Sequence, residues 1–293
     1  MIENLKIKNV VTEESIELTM SSDVFVLEKA DFGVISSSHQ TYHYPGQKGY
    51  TKYASSLGTR EPTIIGWVIG DTENEISERK AKLNALINPL EDLEIEVEGK
   101  YHIVLTPATT VQYSATYAEN NDVMCKFQIK GTCFEPIFSS GVQKSVVSGV
   151  EGNFIFPLVI PEEGYIFSKK TSSLISNIKN KGTIDGGIEI IFSARGTVVN
   201  PSLVNVTTQE CFKLNKVLSA DEVVRINTSI GSRSVIGILN GEELNYFKYR
   251  SISEGDWVTF KKGENLYRYN ADEGLDNLDV TIRYNEYWLE VDN

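Results

Sequence analysis

Three histidines are the first residues whose chemistry could support a site. His39 and His43 have the spacing HxxxH, but they fall in a predicted loop rich in serine, tyrosine, proline and glycine. A zinc-binding HExxH pair needs a helix to bring both imidazoles onto one face, and this segment predicts no helix. His102 falls in a strand-like pattern, and no GxSxG motif supplies it with a nucleophile. The histidines therefore predict neither a metal centre nor a catalytic triad.

Acidic residues are abundant, and pairs of them need no special explanation. The chain has 40 acidic residues, so neighbours such as Glu96 and Glu98, or Asp272 and Glu273, are expected by chance. No GxGxxG or Walker motif occurs, and the glycines over 182–187 are typical of turns. The sequence predicts no enzyme and no cofactor. A β-sandwich hydrolase with two carboxylates at a cleft is an alternative that it does not favour.

The chain also contains cysteines and many aromatic residues. Cys125, Cys133 and Cys211 are odd in number and lack CxxC spacing, which predicts reduced, buried thiols. The 14 tyrosines and 3 tryptophans could form a sugar-binding platform. Trp67 and Trp257, however, lie inside apolar alternation, which indicates core packing. A carbohydrate-binding adhesin is the alternative function that these aromatics leave open.

The overall composition narrows the class of protein. Of 293 residues, 41% are hydrophobic and 23% charged, and no run of about 18 apolar residues is present to cross a bilayer. The net charge of -12 repels phosphate backbones and anionic membranes, so direct nucleic-acid recognition and membrane binding are not predicted. The N-terminus has the alternation of a strand and no signal-peptide pattern, which predicts folding in a cytoplasm.

Period-2 alternation of apolar residues dominates the first half of the chain. It predicts short strands at residues 5–7, 16–18, 24–26, 64–69, 93–97, 101–105 and 124–129. One stretch differs, because Thr72 to Glu75 has capping-box form and precedes an apolar face at helical spacing. This pattern predicts one α-helix over about residues 73–88, ended near Pro89.

A stretch rich in serine and glycine follows Phe138 and divides the chain. We predict an N-terminal domain over residues 1–138, a linker over 139–149 and a C-terminal domain over 150–293. The second domain has strand patterns at residues 184–192, 204–208, 211–214, 223–226, 234–239, 257–260, 266–269 and 280–284. Their regular spacing predicts a β-sandwich, so the fold class is mainly β with two domains.

Short motifs follow one another in a fixed order along both halves. In the first half they are Tyr44-Pro45-Gly46-Gln47-Lys48-Gly49, then Gly58-Thr59-Arg60, then the apolar strand at 64–69, the helix, and Gly131 to Pro136. In the second half they are Asn200-Pro201, the turn at 218–223, and Gly263-Glu264-Asn265. This order and spacing resembles the distal tail proteins of siphophages over nearly the whole chain.

The resemblance implies a structural protein of the tail tip, or baseplate, of a long-tailed phage or prophage. It implies a homo-hexameric ring of N-terminal domains, with galectin-like C-terminal β-sandwiches pointing outward. The implied partners are the tail tube protein, the tip or hub protein, and receptor-binding proteins on the periphery; the implied location is the virion tail tip. None of the WGxExR residues that galectins use on sugars is present.

The motif residues themselves are expected to act in turns and packing. They are Pro45, Gly46, Gly49, Gly58, Arg60, Asn200, Pro201, Gly263 and Asn265. Ring formation is physically reasonable, because a closed cyclic assembly covers strand edges that a free monomer must protect one by one. The loop at 44–49 is expected to be either an arm that reaches a neighbouring subunit or a surface loop.

Overall fold

The computed structural model describes residues 2–147, 149–152, 168–171 and 175–291. The chain divides into two compact units, the first formed by residues 1–141 and 288–293 and the second by residues 142–287. The chain therefore returns to the first unit at its C-terminus. The predicted linker at 139–149 spans the division between the units, whereas its residue 148 and residues 153–167 of the predicted second domain lie outside the described residues.

The elements of the first unit alternate buried and exposed residues along most strands. They are β1 (Asn4–Asn9), β2 (Ser15–Thr19), β3 (Phe25–Asp31), β4 (Ser37–Tyr42), β5 (Thr51–Leu57), β6 (Thr63–Ile69), α1 (Glu73–Leu86), β7 (Leu93–Val97), β8 (Tyr101–Pro107), β9 (Gln112–Tyr113), β10 (Met124–Thr132) and β11 (Phe138–Ser139). A last strand, β26 (Tyr287–Trp288), joins their sheet from the C-terminal end of the chain.

One large sheet builds the first unit. Its strand order is β26-β11-β8-β7-β1-β2-β3-β6-β10-β9, and β10 also pairs with β8, so the sheet closes on itself. The inward positions of its strands, such as Leu5 and Ile7 on β1, are fully buried in one apolar core. Burying each such side chain contributes about 1.5 to 3 kcal/mol, which is why the period-2 pattern decides the fold. The strands predicted from this pattern are confirmed.

The predicted helix is also confirmed, and its cap explains where it begins. The Thr72 hydroxyl accepts a hydrogen bond from the Glu75 backbone N–H at 3.3 Å, as a capping box requires. The Glu75 carboxylate accepts from the N–H of Asp71 at 3.2 Å. Ile76, Leu83 and Leu86 are the residues that α1 buries against the core of the first unit.

The second unit is built from short antiparallel strands. They are β12 (Gln143–Val146), β13 (Gly149–Gly152), β14 (Ser168–Thr171), β15 (Ile175–Asn180), β16 (Ile188–Ala194), β17 (Val198–Val199), β18 (Ser202–Asn205), β19 (Glu210–Lys213), β20 (Val217–Leu218), β21 (Val223–Asn227), β22 (Ser234–Leu239), β23 (Glu242–Asn245), β24 (Gly263–Asn270) and β25 (Leu278–Tyr284). Two 3-10 turns, Phe247–Tyr249 and Leu275–Asn277, complete its described elements.

Two main sheets of the second unit enclose its own apolar core. The larger has the order β12-β25-β16-β21-β22-β23, and the smaller has the order β15-β24-β18-β19. Strands β16 and β25 bury alternate residues, as in Ile188, Ile190 and Phe192, and the smaller sheet adds Phe212 and Tyr267 to the same core. This arrangement is the predicted β-sandwich.

Two local predictions differ from the structure. Residues 257–260 form no strand; Trp257 and Val258 fill the core from an irregular segment, and Phe260 makes one isolated bridge to Gly186. The apolar residues at 257–260 therefore indicate burial in the core and not pairing in a strand. The segment around His39 and His43, expected to be a loop, is largely the β4–β5 hairpin.

Candidate functional site

The chemically reactive side chains identified in the sequence do not converge. His39 Nδ1 bonds to Ser55 Oγ at 3.0 Å and His43 Nδ1 to the Gly49 carbonyl at 2.8 Å, so the two imidazoles have separate partners. His102 Nδ1 bonds to Glu94 at 3.1 Å on the neighbouring strand β7. Among the described residues, no three His, Cys, Asp or Glu side chains are grouped so as to hold a metal ion.

The three cysteines are free thiols with weakened acidity. Cys125 and Cys133 are buried, and Cys211 is half-buried. Burial raises the pKa of Cys133 to about 12, and it also raises the pKa of Cys125 and of Cys211. A nucleophilic cysteine needs a lowered pKa and access, and burial works against both.

Arg60, one of the motif residues, is fully buried in the first unit. Its Nε donates to the Pro136 carbonyl at 3.2 Å, and Nη1 donates to the Gly33 carbonyl at 3.0 Å. Both terminal nitrogens also bond to the Glu290 carboxylate, at 3.1 and 3.2 Å, and Nη2 donates to the Leu289 carbonyl. An unpaired buried charge costs several kcal/mol, so this full set of acceptors is what allows Arg60 to be buried.

Aromatic rings surround the Arg60 guanidinium. Its carbon lies 5.0 Å from the centre of the Phe138 ring, which packs edge-on against Phe32 at 5.2 Å. Trp288, which precedes the Arg60 partners Leu289 and Glu290, packs edge-on against Tyr101 at 5.0 Å. Arg60 therefore ties residues 288–290 to the first unit, and with no exposed surface it can act only as a structural residue.

Gly58 lies where the chain passes close to itself beside this cluster. Its N–H donates to the Ser36 carbonyl at 2.8 Å, and a Cβ on Gly58 would stand 2.3 Å from Ser36 Oγ. The Gly58-Thr59-Arg60 motif thus combines a close backbone approach with the buried guanidinium.

In the second unit, Asn265 is a fully buried amide whose atoms are all bonded. Its Oδ1 accepts from the Lys261 N–H and from Asn205 Nδ2, each at 3.0 Å. Its Nδ2 donates to the carbonyls of Lys261 at 2.7 Å and of Gly263 at 3.0 Å. Gly263 has a φ of +92°, which favours glycine. The Gly263-Glu264-Asn265 motif therefore forms the beginning of β24 and fixes the turn that leads into it.

Asn200 and Pro201 lie at a turn of the second unit. Asn200 has a φ of +50° and donates from Nδ2 to Asp272 at 2.8 Å. The Asn200 amide and the Lys213 ammonium hold the pKa of Asp272 below its ordinary value. The Pro201 carbonyl accepts from the N–H of Leu214 at 2.9 Å. These contacts shape a turn and bring no reactive groups together.

One exposed feature of the first unit is the β4–β5 hairpin, residues 37–57, which we call the tyrosine hairpin. Both faces of β4 are exposed, and β5 is exposed at most positions. Tyr44, Tyr50 and Tyr53 have 62, 75 and 63% of their surface exposed. The segment contains two lysines, Lys48 and Lys52, and no acidic residue.

The tip of the tyrosine hairpin is held by its own hydrogen bonds. Gly46 and Gly49 have φ of +84° and +87°, in the left-handed region that the tight path after Pro45 requires. Gln47 Nε2 donates to Thr51 Oγ1 at 2.6 Å, and its backbone N–H donates to the Tyr44 carbonyl. The exposed tyrosines are therefore presented on a defined turn.

A second exposed feature is a pocket of about 430 Å³ at the end of β6. We call it the Trp67 pocket, and it is lined by Trp67, Ile69, Gly70, Asp71, Val123 and Met124. Trp67 is fixed beside it, because its Nε1 donates to Glu28 at 2.6 Å while Lys126 Nζ lies 5.2 Å from its ring centre. Lys126 also bonds to Glu28 at 2.9 Å, and this bond raises the pKa of Lys126.

Trp257 does not form a sugar platform in the second unit. Only 6% of its surface is exposed, and it packs against Phe212 and Phe247. The guanidinium groups of Arg233 and Arg250 lie 5.1 and 5.2 Å from its ring centre. Because a sugar needs an open aromatic face, this tryptophan acts as a core residue, as the sequence predicted.

No helix within the described part of the chain has the length and apolar character needed to cross a membrane.

Comparison with known proteins gives a family match in the second unit. Residues 181–288 match the family model described as siphovirus-type tail component, C-terminal domain. No curated protein matches the chain.

The solved structures add a likeness that spans both units. The Dit protein of phage SPP1, described as a paradigm of the hub adsorption apparatus in phages that infect Gram-positive bacteria, is 14% identical, with a TM-score of 0.62. The match covers 97% of this chain and 98% of that one. A chain of the activated phage P2 baseplate with Ca is 11% identical at a TM-score of 0.46, over 97 and 98% of the two chains.

Both units share the fold of the SPP1 Dit protein, and the second unit also matches a tail component domain by its sequence. Residues 181–288 therefore carry a domain of the siphovirus-type tail component family.

Proposed function

We propose that this protein forms a ring, of about six subunits, that joins the tail tube to the tip or hub of a long-tailed phage or prophage. The observation that carries the proposal is the match of residues 181–288 to a siphovirus-type tail component domain. The likeness of the fold to the SPP1 Dit protein, described as part of a hub adsorption apparatus, supports it over both units. In this function the protein acts through its interfaces and carries out no reaction.

In this proposal the two units have different partners. The first unit forms the ring and contacts the tail tube protein on one side and the tip or hub protein on the other. The second unit, as a galectin-like sandwich, lies at the periphery of the virion tail tip and holds receptor-binding proteins. The net charge of -12 suits a ring around a DNA channel, because an acidic wall does not trap a polyanion.

The mass of the purified protein in solution tests the ring. Light scattering across a concentration series should give a species of about six times the 32.8 kDa of one chain, and negative-stain images should show a central hole. A strict monomer at every concentration would contradict a ring that assembles by itself.

A further inference from the structure

The tyrosine hairpin and the Trp67 pocket are complementary in charge and in polarity. The hairpin has two lysines and no acid, although the chain as a whole has a net charge of -12. The pocket is apolar along Trp67, Ile69 and Val123, and Ile69 and Val123 are 36 and 45% exposed. Tyrosine has an apolar ring with a polar tip, which suits a pocket of this kind at a protein interface.

Asp71 lines the Trp67 pocket, and further aspartates lie next to it in the chain segments bonded to the pocket. The cation that reaches Ile69 there, Arg79, is already paired with Glu75. Two backbone bonds join the two segments that line the pocket to each other and to a third segment: Gly70 N–H donates to the Val123 carbonyl, and Ile69 N–H to the Val24 carbonyl, each at 3.0 Å. Each segment has one exposed aspartate next to the joined residues, namely Asp23, Asp71 and Asp122. The lysines that flank the hairpin tip would therefore meet carboxylates at this pocket.

The two surfaces lie at opposite ends of the same strands within the first unit. Strand β6 pairs antiparallel with β3, so that Thr63 is opposite Asp31, and the hairpin leaves the sheet between these two residues. The pocket lies beyond the other end of β6, at Ile69. A strand of seven residues is about 23 Å long. The exposed tyrosines show that the hairpin does not cover the pocket of its own molecule.

We propose that the tyrosine hairpin of one copy of this chain docks into the Trp67 pocket of the next copy. Because the two surfaces differ and lie at opposite ends of the unit, the contact is head-to-tail, and repeated contacts of this kind close into a ring or continue as a filament. Lys48 and Lys52 pair with the aspartates of the neighbouring pocket, while the tyrosines at the tip fill it. This inference rests on the proposed function, and it identifies the surfaces that build the ring.

A charge exchange between the two surfaces tests the contact. The hairpin variant carries Lys48→Glu and Lys52→Glu, and the pocket variant carries Asp71→Lys and Asp122→Lys; all four side chains are exposed. Each variant alone places like charges against each other, and we expect the midpoint concentration for association to rise about a hundredfold or more. An equimolar mixture should recover assembly, because the altered hairpin then meets the altered pocket. The chain with all four substitutions should recover it as well.

Matched controls separate this contact from effects of net charge or folding. Lys181→Glu with Lys262→Glu changes the charge as the hairpin variant does, and Glu135→Lys with Glu242→Lys matches the pocket variant; these residues are exposed outside both surfaces. The controls should assemble as the unmodified chain does, and all variants should melt at the same temperature.

Three outcomes would overturn the contact, and they differ in what they say about function. If the unmodified chain assembles and both variants assemble equally well, the ring stands and its interface is elsewhere. If the unmodified chain stays monomeric at every concentration, the self-assembling ring and this contact both fail. Loss of assembly in each variant without recovery in the mixture also contradicts direct pairing of the two surfaces.

Discussion

At the scale of single residues, the sequence singled out motif positions but could not reveal the partners of their side chains. Gly58 and Arg60 could be recognised as part of a motif. The complete burial of the Arg60 guanidinium could not be predicted from the sequence. The reason is that Glu290, which bonds both terminal nitrogens of Arg60, is 230 residues away along the chain. Asn265 is bonded mostly within four residues of itself, so its role as a turn residue was predictable from the local motif.

Replacing Arg60 should destabilise the first unit strongly. Arg60→Leu leaves the carbonyls of Gly33, Pro136 and Leu289 without their donor, and we expect the free energy of unfolding to fall by about 3 to 5 kcal/mol. Glu290→Gln is the control, because the Glu290 side chain is 62% exposed, and it should cost about 1 kcal/mol or less. Denaturant unfolding measures both, and equal losses would show that Arg60 acts through the ion pair alone.

Glu222 should make the stability of the second unit depend on pH. Burial of its side chain, which is 1% exposed, disfavours the charged form. Bonds from Lys216, the Ser219 N–H and Tyr246 outweigh burial and hold the pKa of Glu222 below its ordinary value of 4.5. Because the folded-state pKa is lowered, this stabilisation is present above about pH 4.5 and is lost as the pH falls through the folded-state pKa.

The matching experiment is thermal unfolding of Glu222→Gln and of the unmodified chain at several pH values. The variant should be less stable by about 1 to 3 kcal/mol at pH 7, since Lys216 loses a charged partner. The difference should shrink as the pH falls below 4.5 and through the lowered folded-state pKa of Glu222, because the carboxylate of the unmodified chain then becomes protonated. A difference that stays constant over this range would mean that the carboxylate charge contributes nothing.

At the scale of elements, the sequence predicted the strands that have one buried and one exposed face. Strands with one buried face, such as β6 and β10, produce alternation because each second residue enters the core. The tyrosine hairpin has no such pattern, because β4 is exposed on both faces, and it was expected to be a loop. Its pairing is made by backbone bonds, which leave no apolar signal in the sequence.

Closure of the large sheet should depend on Gly131. A Cβ at this position would lie 2.4 Å from the Thr106 carbonyl oxygen and 2.6 Å from Leu105 Cδ1, where β10 pairs with β8. Gly131→Ala should therefore displace backbone and cost about 2 kcal/mol or more. Gly70→Ala is the matched control, since its Cβ would meet only side-chain atoms, at 3.2 Å or more. Similar melting temperatures for the two variants would contradict this account.

At the scale of the whole molecule, the chain ends in the unit where it began. Trp288 is buried in the core of the first unit, and Arg60 holds the two residues that follow it. The second unit, residues 142–287, has a separate core and is therefore inserted between two parts of the first. Hydrophobic patterning predicted both β-rich units. It carries no information on which unit a strand as short as β26 joins.

Deleting the C-terminal segment should weaken one unit and spare the other. A chain that ends at Tyr287 loses Trp288 from the first core and leaves Arg60 without Glu290, so the first unit should lose about 3 kcal/mol or more of stability. Hydrogen exchange followed by mass spectrometry should then rise in β7 and β8, while β16 and β21 keep their protection, because their core contains none of the deleted residues. A chain that ends at Val291 is the control and should exchange like the full chain. Equal loss of protection in both units would mean that their stabilities are coupled. Residues 288–291 would then not stabilise the first unit alone.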